Sequence, residues 1–161
     1  MTTEREVIAR LDKSGIEALI PHRNQMLLLD RATIIETPAG VVLEAEYFIG
    51  SQSVFMDGHF PDLKIFPGFL TAEVMAQAAG LNYAYFHREL VGKRFVLAAA
   101  DKLRWIAPVL PDCKLFLWAR YTNSFEKRGR TFVNFDVSAT IDVGDGKRTP
   151  AASGVITGAL L

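Results

Sequence analysis

Alternating apolar and polar residues mark most of this chain as extended segments. The clearest alternation covers 131–143, where every second side chain is apolar. Because successive side chains of a strand point to opposite faces, this pattern predicts a strand with one buried face. Six strands are predicted in this way, over 26–36, 41–49, 95–105, 114–125, 131–143 and 149–160. Pro150 is expected at a sheet edge or outside the ladder, since proline donates no backbone hydrogen bond.

A different pattern covers 67–86, where apolar residues occupy every face of a helix rather than one stripe. Pro67 can serve as the first helical residue, and only Gly80 interrupts the helix formers that follow. The one formal charge is Glu73. A helix that is apolar all round is expected to be buried on all sides. Its several polar residues make it too polar for a membrane span.

The segment 3–19 is predicted as one helix or two short helices. Thr3 and Ser14 each stand three residues before a glutamate, as the first residue of a capping box does. Val7 and Leu11 belong to an apolar stripe. We expect this segment to pack on the outside of the domain.

The predicted order is a helix, two strands, a buried helix and four strands. An antiparallel sheet curled around the central helix satisfies this order, because the sheet supplies the apolar wall that the helix needs. The fold class is therefore α+β. The 161 residues fit one domain with a sizeable core, so 1–161 is predicted as a single domain with a helical segment at 1–20.

Composition excludes several classes of protein. Lysine and arginine balance aspartate and glutamate at 18 each, which gives no electrostatic argument for nucleic acid or an anionic membrane. Cys113 is the only cysteine, so an internal disulfide and a thiolate metal cluster are excluded. The histidines lack metal-ligand spacing, and no metal is expected. The charged N-terminal segment has no apolar signal core, which favours a cytoplasmic protein.

Two residues suggest acid–base chemistry. Glu73 is a carboxylate on a helix expected to be buried, and burial raises a carboxyl pKa toward values useful for proton transfer. Gln77 lies one turn further along the same face and is a possible helper. His59 lies upstream in a Gly-His-Phe-Pro loop. Histidine and glutamate are common acid–base groups, although each residue taken alone is more often structural.

Two ordered motifs carry a resemblance to a known family. The first is G-H-F-P at 58–61, continuing as I-F-P-G-F-L-x-x-E-V-M-A-Q-A-A-G at 65–80. The second is P-H-R at 21–23, followed by M-L-L-L-D-R at 26–31. Over 22–143 the chain resembles the FabZ-type 3-hydroxyacyl-[acyl-carrier-protein] dehydratases, which have the hotdog fold. The resemblance implies removal of water from a 3-hydroxyacyl thioester on an acyl carrier protein, in fatty-acid or polyketide-type biosynthesis, with no cofactor.

Matching the motifs position by position implies the site residues. His59 and Glu73 take the catalytic positions, and Gly68 takes the position whose backbone N–H binds the substrate carbonyl. Phe60 and Phe69 are candidate substrate contacts. As a hypothesis, His59 removes the C2 proton, while Glu73, kept protonated by its apolar surroundings, protonates the departing C3 hydroxyl. The start of the helix favours the negative charge that develops on the thioester oxygen.

The resemblance also implies partners. In the family, the histidine and the glutamate of one site come from different subunits, so a homodimer with interfacial sites is expected, with a trimer of dimers as a higher assembly. Lys102 and Arg104 are candidates for docking the carrier protein. His22, in the second motif, is interpreted as structural.

Three departures from the family pattern occur. Asp62 follows the G-H-F-P loop in place of glycine, Ile106 and Ala107 replace two basic residues, and 111–113 reads P-D-C in place of P-G-D. None of them alters the catalytic pair. They suggest a carrier protein of a dedicated pathway, such as polyketide or aryl-polyene assembly, rather than that of housekeeping fatty-acid synthesis.

Three other functions stay open from the sequence. A hotdog acyl thioesterase would use the helix carboxylate and water but gives the G-H-F-P loop no role. A FabA-type dehydratase/isomerase typically has aspartate where this chain has Glu73. A non-catalytic acyl-binding subunit is open to any fold, although the presence of both His59 and Glu73 argues against it. Enoyl formation, thiol release and binding without turnover distinguish these functions.

Overall fold

A seven-stranded antiparallel sheet wraps around one long helix in the computed structural model, which describes residues 4–161. The strands are β1 (Glu6–Leu11), β2 (Arg31–Thr37), β3 (Gly40–Ile49), β4 (Phe95–Trp105), β5 (Cys113–Lys127), β6 (Arg130–Asp142) and β7 (Thr149–Leu160). Their order across the sheet is β1-β2-β3-β5-β6-β7-β4. The helices are α1 (Lys13–Glu17) and α2 (Gly68–Phe86), with 3-10 turns at Asn24–Met26 and Arg88–Leu90. The predicted α+β arrangement is confirmed, with one strand more than the expected six.

Helix α2 is enclosed by the concave face of the sheet, as its all-round apolar sequence predicts. Only Phe69 and Phe86, near its two ends, are exposed. The buried Asn82 amide donates from Nδ2 to the Ala119 carbonyl at 3.2 Å, which removes the cost of burying it unpaired. No helix within residues 4–161 is long and apolar enough to cross a membrane.

The N-terminal segment differs from the expected helix. Glu6–Leu11 forms β1 and pairs antiparallel with β2, so the predicted helices over 3–19 and 1–20 are wrong there. Only Lys13–Glu17 is helical, and Asp12 rather than Ser14 caps it, accepting from Gly15 N at 2.9 Å. Thr3 lies outside the described residues. The open edge of β2 explains the difference. Pairing with this edge gives the backbone N–H and C=O groups stable hydrogen bonds, whereas a short isolated helix is only marginally stable.

The second strand begins later than predicted. β2 starts at Arg31 rather than at position 26, and the three leucines at 27–29 are buried without belonging to a ladder. Leu28 N donates instead to Gln77 Oε1 at 2.9 Å. The apolar character of these leucines therefore reflects burial against α2 rather than strand pairing.

Strand β4 forms one edge of the sheet and is largely exposed. It pairs with β7 alone, and this pairing ends where Trp105 meets Ala152. Pro150 precedes that point, where β7 has β6 as its only neighbour. The expected edge position of Pro150 is thus confirmed.

Candidate functional site

Glu73 lies in the second turn of α2, on the helix face that meets the N-terminal motif. Its side chain is 26% exposed, whereas Val74 and Met75 next to it are fully buried. The carboxylate therefore lies at the margin of the apolar core, where a substrate can reach it.

Gln77 connects Glu73 to the segment that precedes β2. Its Nε2 donates both to Glu73 Oε1 at 2.9 Å and to the Met26 carbonyl at 2.7 Å. Its Oε1 accepts from Leu28 N at 2.9 Å. Because the acceptor side of the amide is occupied by Leu28, the donor side is directed at Glu73. These bonds show how Gln77 can assist Glu73, as the sequence suggests, by donating a hydrogen bond to its carboxylate.

The second neighbour of Glu73 is His22, whose Nε2 lies 3.4 Å from Glu73 Oε1. The sequence interpretation of His22 as purely structural missed this contact. Both motifs, P-H-R and the helix motif, are visible in the sequence. Their order along the chain does not show that position 22 lies against position 73.

The ionisation of Glu73 differs from the hypothesis of a resting carboxylic acid. Burial raises the pKa of this carboxyl, but hydrogen bonds from His22 and Gln77 outweigh burial. The pKa lies below its ordinary value of 4.5. In the single chain these hydrogen bonds favour the carboxylate form, so the apolar surroundings alone do not keep Glu73 protonated.

A cavity of about 250 Å³ extends from His22 and Glu73 along α2. Apolar side chains dominate its far end, where Tyr83 and Phe95 stack at a centroid distance of 5.9 Å. Tyr83 and Lys93 are the other titratable residues that line it. The cavity thus has a carboxylate at one end and mainly apolar side chains at the other. This arrangement suits a substrate with one reactive head and a hydrocarbon tail.

His59 lies in the loop between β3 and α2 and is held by its backbone neighbours. Its Nδ1 lies 2.9 Å from the Ile65 carbonyl, and Ile65 N donates to the His59 carbonyl at 2.8 Å. A carbonyl oxygen only accepts, so Nδ1 carries the hydrogen and Nε2 is the nitrogen left free to take a proton. The His59 ring also stacks on Phe60 at 4.4 Å.

Gly68, the first residue of α2, packs against an indole. Trp105 Nε1 donates to the Gly68 carbonyl at 2.8 Å, and a β-carbon at Gly68 would lie 2.8 Å from that nitrogen. The sequence suggests that a glycine is needed here so that the substrate can approach the backbone closely. The structure shows instead that the Trp105 indole approaches it. The N–H groups of the first helical turn have no partner inside a helix, so those at 68 and 69 can still meet a ligand oxygen.

The remaining predicted residues lie on the surface. Phe60 and Phe69 are 49% and 70% exposed, Phe69 at the start of α2 and Phe60 beside His59. Lys102 and Arg104 are exposed on the edge strand β4, at a bulge where the pairing register with β7 shifts.

Among residues 4–161, no hydrogen bond or ion pair joins His59 to Glu73. Within residues 4–161, Glu73 contacts His22 and Gln77, whereas the His59 ring contacts Ile65 and Phe60. Glu73 lines the cavity along α2, and Gly68 lines a separate cleft beside Trp105. In one chain the candidate residues therefore have different neighbours, with Glu73 at the cavity along α2 and Gly68 at the cleft beside Trp105.

Comparison with known proteins agrees with the motifs. A family model described as a FabA-like domain matches residues 20–146. The 3-hydroxyacyl-[acyl-carrier-protein] dehydratase FabZ of Pasteurella multocida is 36% identical over 142 residues, covering 88% of this chain and 90% of the relative. The protein of the same name from Pseudoalteromonas translucida is 35% identical over 133 residues, covering 82% and 85%.

A solved structure confirms the architecture. The dehydratase heterocomplex ApeI:P from Xenorhabdus doucetiae matches with a TM-score of 0.64 and 18% sequence identity, over 89% of this chain and 88% of that one. At this identity the likeness concerns the fold alone. Together with the family match, it confirms the predicted hotdog fold.

Proposed function

This chain belongs to the FabZ family of 3-hydroxyacyl-[acyl-carrier-protein] dehydratases, and from that premise we propose how its residues divide the reaction. The enzyme is a hydro-lyase that removes water from a 3-hydroxyacyl thioester in fatty-acid biosynthesis. The observation that carries the assignment is a pair of complementary groups: the His59 ring with Nε2 free, and the Glu73 carboxylate held by Oε1 alone.

His59 is the base in this proposal. The bond from Nδ1 to the Ile65 carbonyl fixes the ring tautomer, so Nε2 can accept the proton from C2 of the substrate. As that proton leaves, negative charge develops on the thioester oxygen. The N–H groups at the start of α2, around Gly68, are the donors that we assign to this oxygen.

Glu73 is the acid in this proposal, and it must first be protonated. Burial already raises its pKa against the two hydrogen bonds that lower it. A partner subunit and an acyl chain covering the carboxylate would remove more water and raise the pKa further. Glu73 then gives its proton to the C3 hydroxyl, which leaves as water while the C2–H electron pair forms the C2–C3 double bond. The proton held by His59 returns to Glu73 through solvent, which restores both groups.

A homodimer completes the site. His59 and Glu73 share no contact in one chain, and in this proposal a second copy supplies the partner group for each. The edge strand β4 and the helix start expose apolar side chains that such a copy would cover, among them Phe69, Trp105 and Ile106. An unpaired, apolar strand edge is also a template for pairing with a second chain. The carrier protein that presents the substrate and a cytoplasmic location belong to the same proposal.

Turnover of a 3-hydroxyacyl thioester on a carrier protein tests the assignment. Mass spectrometry detects the loss of water, and absorbance detects the conjugated enoyl product. We expect His59→Ala and Glu73→Gln to lose at least a hundredfold in kcat, because each removes one proton-transfer group. Normal turnover by either folded variant would refute the role of that residue. Thiol release instead of enoyl formation would identify a thioesterase.

Mixing the two inactive variants tests the shared site. A heterodimer of His59→Ala and Glu73→Gln contains one site with both native groups and one with neither. Co-expression of the two chains should restore about a quarter of the wild-type activity, since half of randomly paired dimers are mixed and each has one working site. No recovery, with mixed dimers verified, would place both groups in one chain.

Carrier docking is tested separately from chemistry. The double variant Lys102→Glu, Arg104→Glu should raise KM for the carrier-bound substrate and leave KM for a small thioester substrate unchanged, since the two exposed cations act only on the carrier. The exposed Lys147 lies in the loop between β6 and β7, outside strand β4, and Lys147→Glu is the matched control. Equal KM changes in both variants would remove Lys102 and Arg104 as the docking site.

A further inference from the structure

We propose that His22, held in place by Arg23, is a positioning residue that fixes Oε1 of Glu73 and leaves Oε2 as the oxygen that meets the substrate. The inference rests on the proposed dehydratase mechanism and extends it to the P-H-R segment, which that mechanism does not otherwise use.

Both contacts to the Glu73 carboxylate fall on the same oxygen. Gln77 Nε2 donates to Oε1 at 2.9 Å, and His22 Nε2 lies 3.4 Å from the same atom. These donors approach from different parts of the chain, since Gln77 belongs to α2 and His22 to the loop after α1. Two donors on one oxygen fix the plane of a carboxylate, and the second oxygen stays available for proton transfer.

The His22 ring is oriented for this contact. Its Nδ1 is buried and has no hydrogen-bond partner within residues 4–161. Placing the ring hydrogen on Nε2 lets this nitrogen donate to the carboxylate and leaves Nδ1 with only a lone pair. The opposite tautomer would bury an unpaired N–H and turn a lone pair toward an anion, which is costlier on both counts. The contact with Glu73 is therefore the one polar interaction that this ring makes among the described residues.

Arg23 holds the loop that carries His22. Its guanidinium donates from Nη1 to the carbonyls of Ile20 and His22, and from Nη2 to the carbonyl of Glu17, each at 2.7 Å. Three bonds from one planar group to these carbonyls fix the backbone from the end of α1 to His22. The two residues of the P-H-R segment thus have different tasks. Arg23 fixes the backbone of the loop, and His22 extends from this loop to contact Glu73.

Few other charged groups affect this contact. The N-terminal segment contributes His22 to the cavity, α2 contributes Glu73 and Tyr83, and the segment after α2 contributes Lys93. The residues of β4 and β7 that line the cavity are apolar or glycine. A change in Glu73 ionisation on substitution of His22 can therefore be assigned to the lost contact, provided that Lys93 is unchanged.

The test measures the ionisation of Glu73 directly, without relying on turnover. The full-length protein is labelled with ¹³C at glutamate side-chain carboxyls, and the Glu73 signal is assigned by its loss in Glu73→Gln. We expect His22→Phe, which keeps a ring but removes the donor, to raise the pKa of Glu73. His22→Gln retains a donor and should lie between that variant and the wild type. Circular dichroism establishes that each variant is folded.

Activity provides the second readout. We expect His22→Phe to lower kcat/KM about ten- to hundredfold, the factor that corresponds to one hydrogen bond to a charged group. The limb of the pH profile that follows the ionisation of Glu73 should move to higher pH. His22→Gln should recover part of both changes. Arg23→Gln should move the limb in the same direction.

The matched control is the other histidine–glutamate pair. His87 Nδ1 lies 3.1 Å from Glu89 Oε1, and neither residue lines the cavity, although the His87 ring stacks on Tyr83, which does. His87→Phe should leave the Glu73 signal and the pH profile unchanged. A Glu73 pKa that is the same in folded His22→Phe and wild type overturns the inference. A His22-dependent Glu73 pKa in a protein without dehydratase activity would instead support the contact and refute the proposed function.

Discussion

Gly68 combines a packing contact with a position to which the motif assigns a part in the chemistry. The motif implies a backbone N–H for substrate at this position, and the structure adds the indole of Trp105 against its α-carbon. A β-carbon would come within 2.8 Å of Nε1 and 3.2 Å of a second ring atom bonded to it. The helix start and the edge strand β4 therefore meet at a position where any side chain forces one of them to move.

Substitution of this glycine should be destabilising. We expect Gly68→Ala to lose about 1–3 kcal/mol of unfolding free energy, because the indole must shift and its bond to the Gly68 carbonyl is strained. Urea unfolding measures the loss. Gly58→Ala is the matched control, since a β-carbon there has nothing within 4 Å. Equal stability of the two variants would show that the indole contact carries no energy.

The depressed pKa of Glu73 also affects stability against pH. A group whose pKa is lower in the folded than in the unfolded chain stabilises the fold above its unfolded value, here 4.5, and this contribution is lost as pH falls through the folded pKa. The stability difference between wild type and Glu73→Gln should therefore decrease on acidification from neutral pH to below 4.5. Chemical denaturation across that range measures it. Glu36→Gln, at an exposed position, is the control, and its stability difference from wild type should depend less on pH. An equal pH dependence of the two differences would contradict the depressed pKa of Glu73.

At the scale of elements, Gln77 joins the central helix to a segment that has no ladder of its own. Leu28 N and the Met26 carbonyl both depend on its amide. The segment that precedes β2 is therefore fixed by a side chain of α2, and the cavity wall that contains His22 is fixed with it. The Glu73 carboxylate and the segment facing it are consequently parts of one hydrogen-bonded unit.

Loss of this amide should affect stability and activity together. We expect Gln77→Leu to cost about 1–3 kcal/mol of unfolding free energy, because a buried N–H and a carbonyl lose their partner. We also expect kcat to fall about tenfold, because Glu73 loses one of its two donors. Urea unfolding and the enoyl assay measure the two effects. Gln52→Leu, in an exposed turn, is the control and should change neither.

At the scale of the molecule, the open edge at β4 offers a surface for the second copy that the proposed two-subunit site requires. Trp105 and Ile106 are more than half exposed, next to the helix start that carries Gly68. A second copy paired at this edge would cover these apolar side chains and supply the missing catalytic group. Assembly and activity should therefore be lost together.

A charge placed in this surface separates assembly from folding. We expect Ile106→Glu to yield a folded monomer without dehydratase activity, because a buried carboxylate in an apolar interface is costly. Sedimentation measures the oligomeric state and circular dichroism the fold. Val143→Glu, at a position that is 65% exposed after β6, should stay dimeric and active. A fully active Ile106→Glu monomer would contradict the two-subunit site.

The sequence alone determined the features whose signals are local. Period-two alternation located the strands from β3 onward, and the apolar run with one charge located α2, because strand and helix periodicities are encoded in neighbouring residues. The two motifs indicated the family and the candidates His59 and Glu73.

Tertiary structure decided the rest. Glu6–Leu11 became a strand because β2 offers an edge, and Leu28 N, in the buried segment 27–29, donates to the Gln77 side chain of α2 rather than to a strand. The ionisation of Glu73 was also decided there, since its donors are His22, far away in the chain, and Gln77, oriented by Leu28. Such long-range contacts have no local pattern, and only the folded chain brings them together.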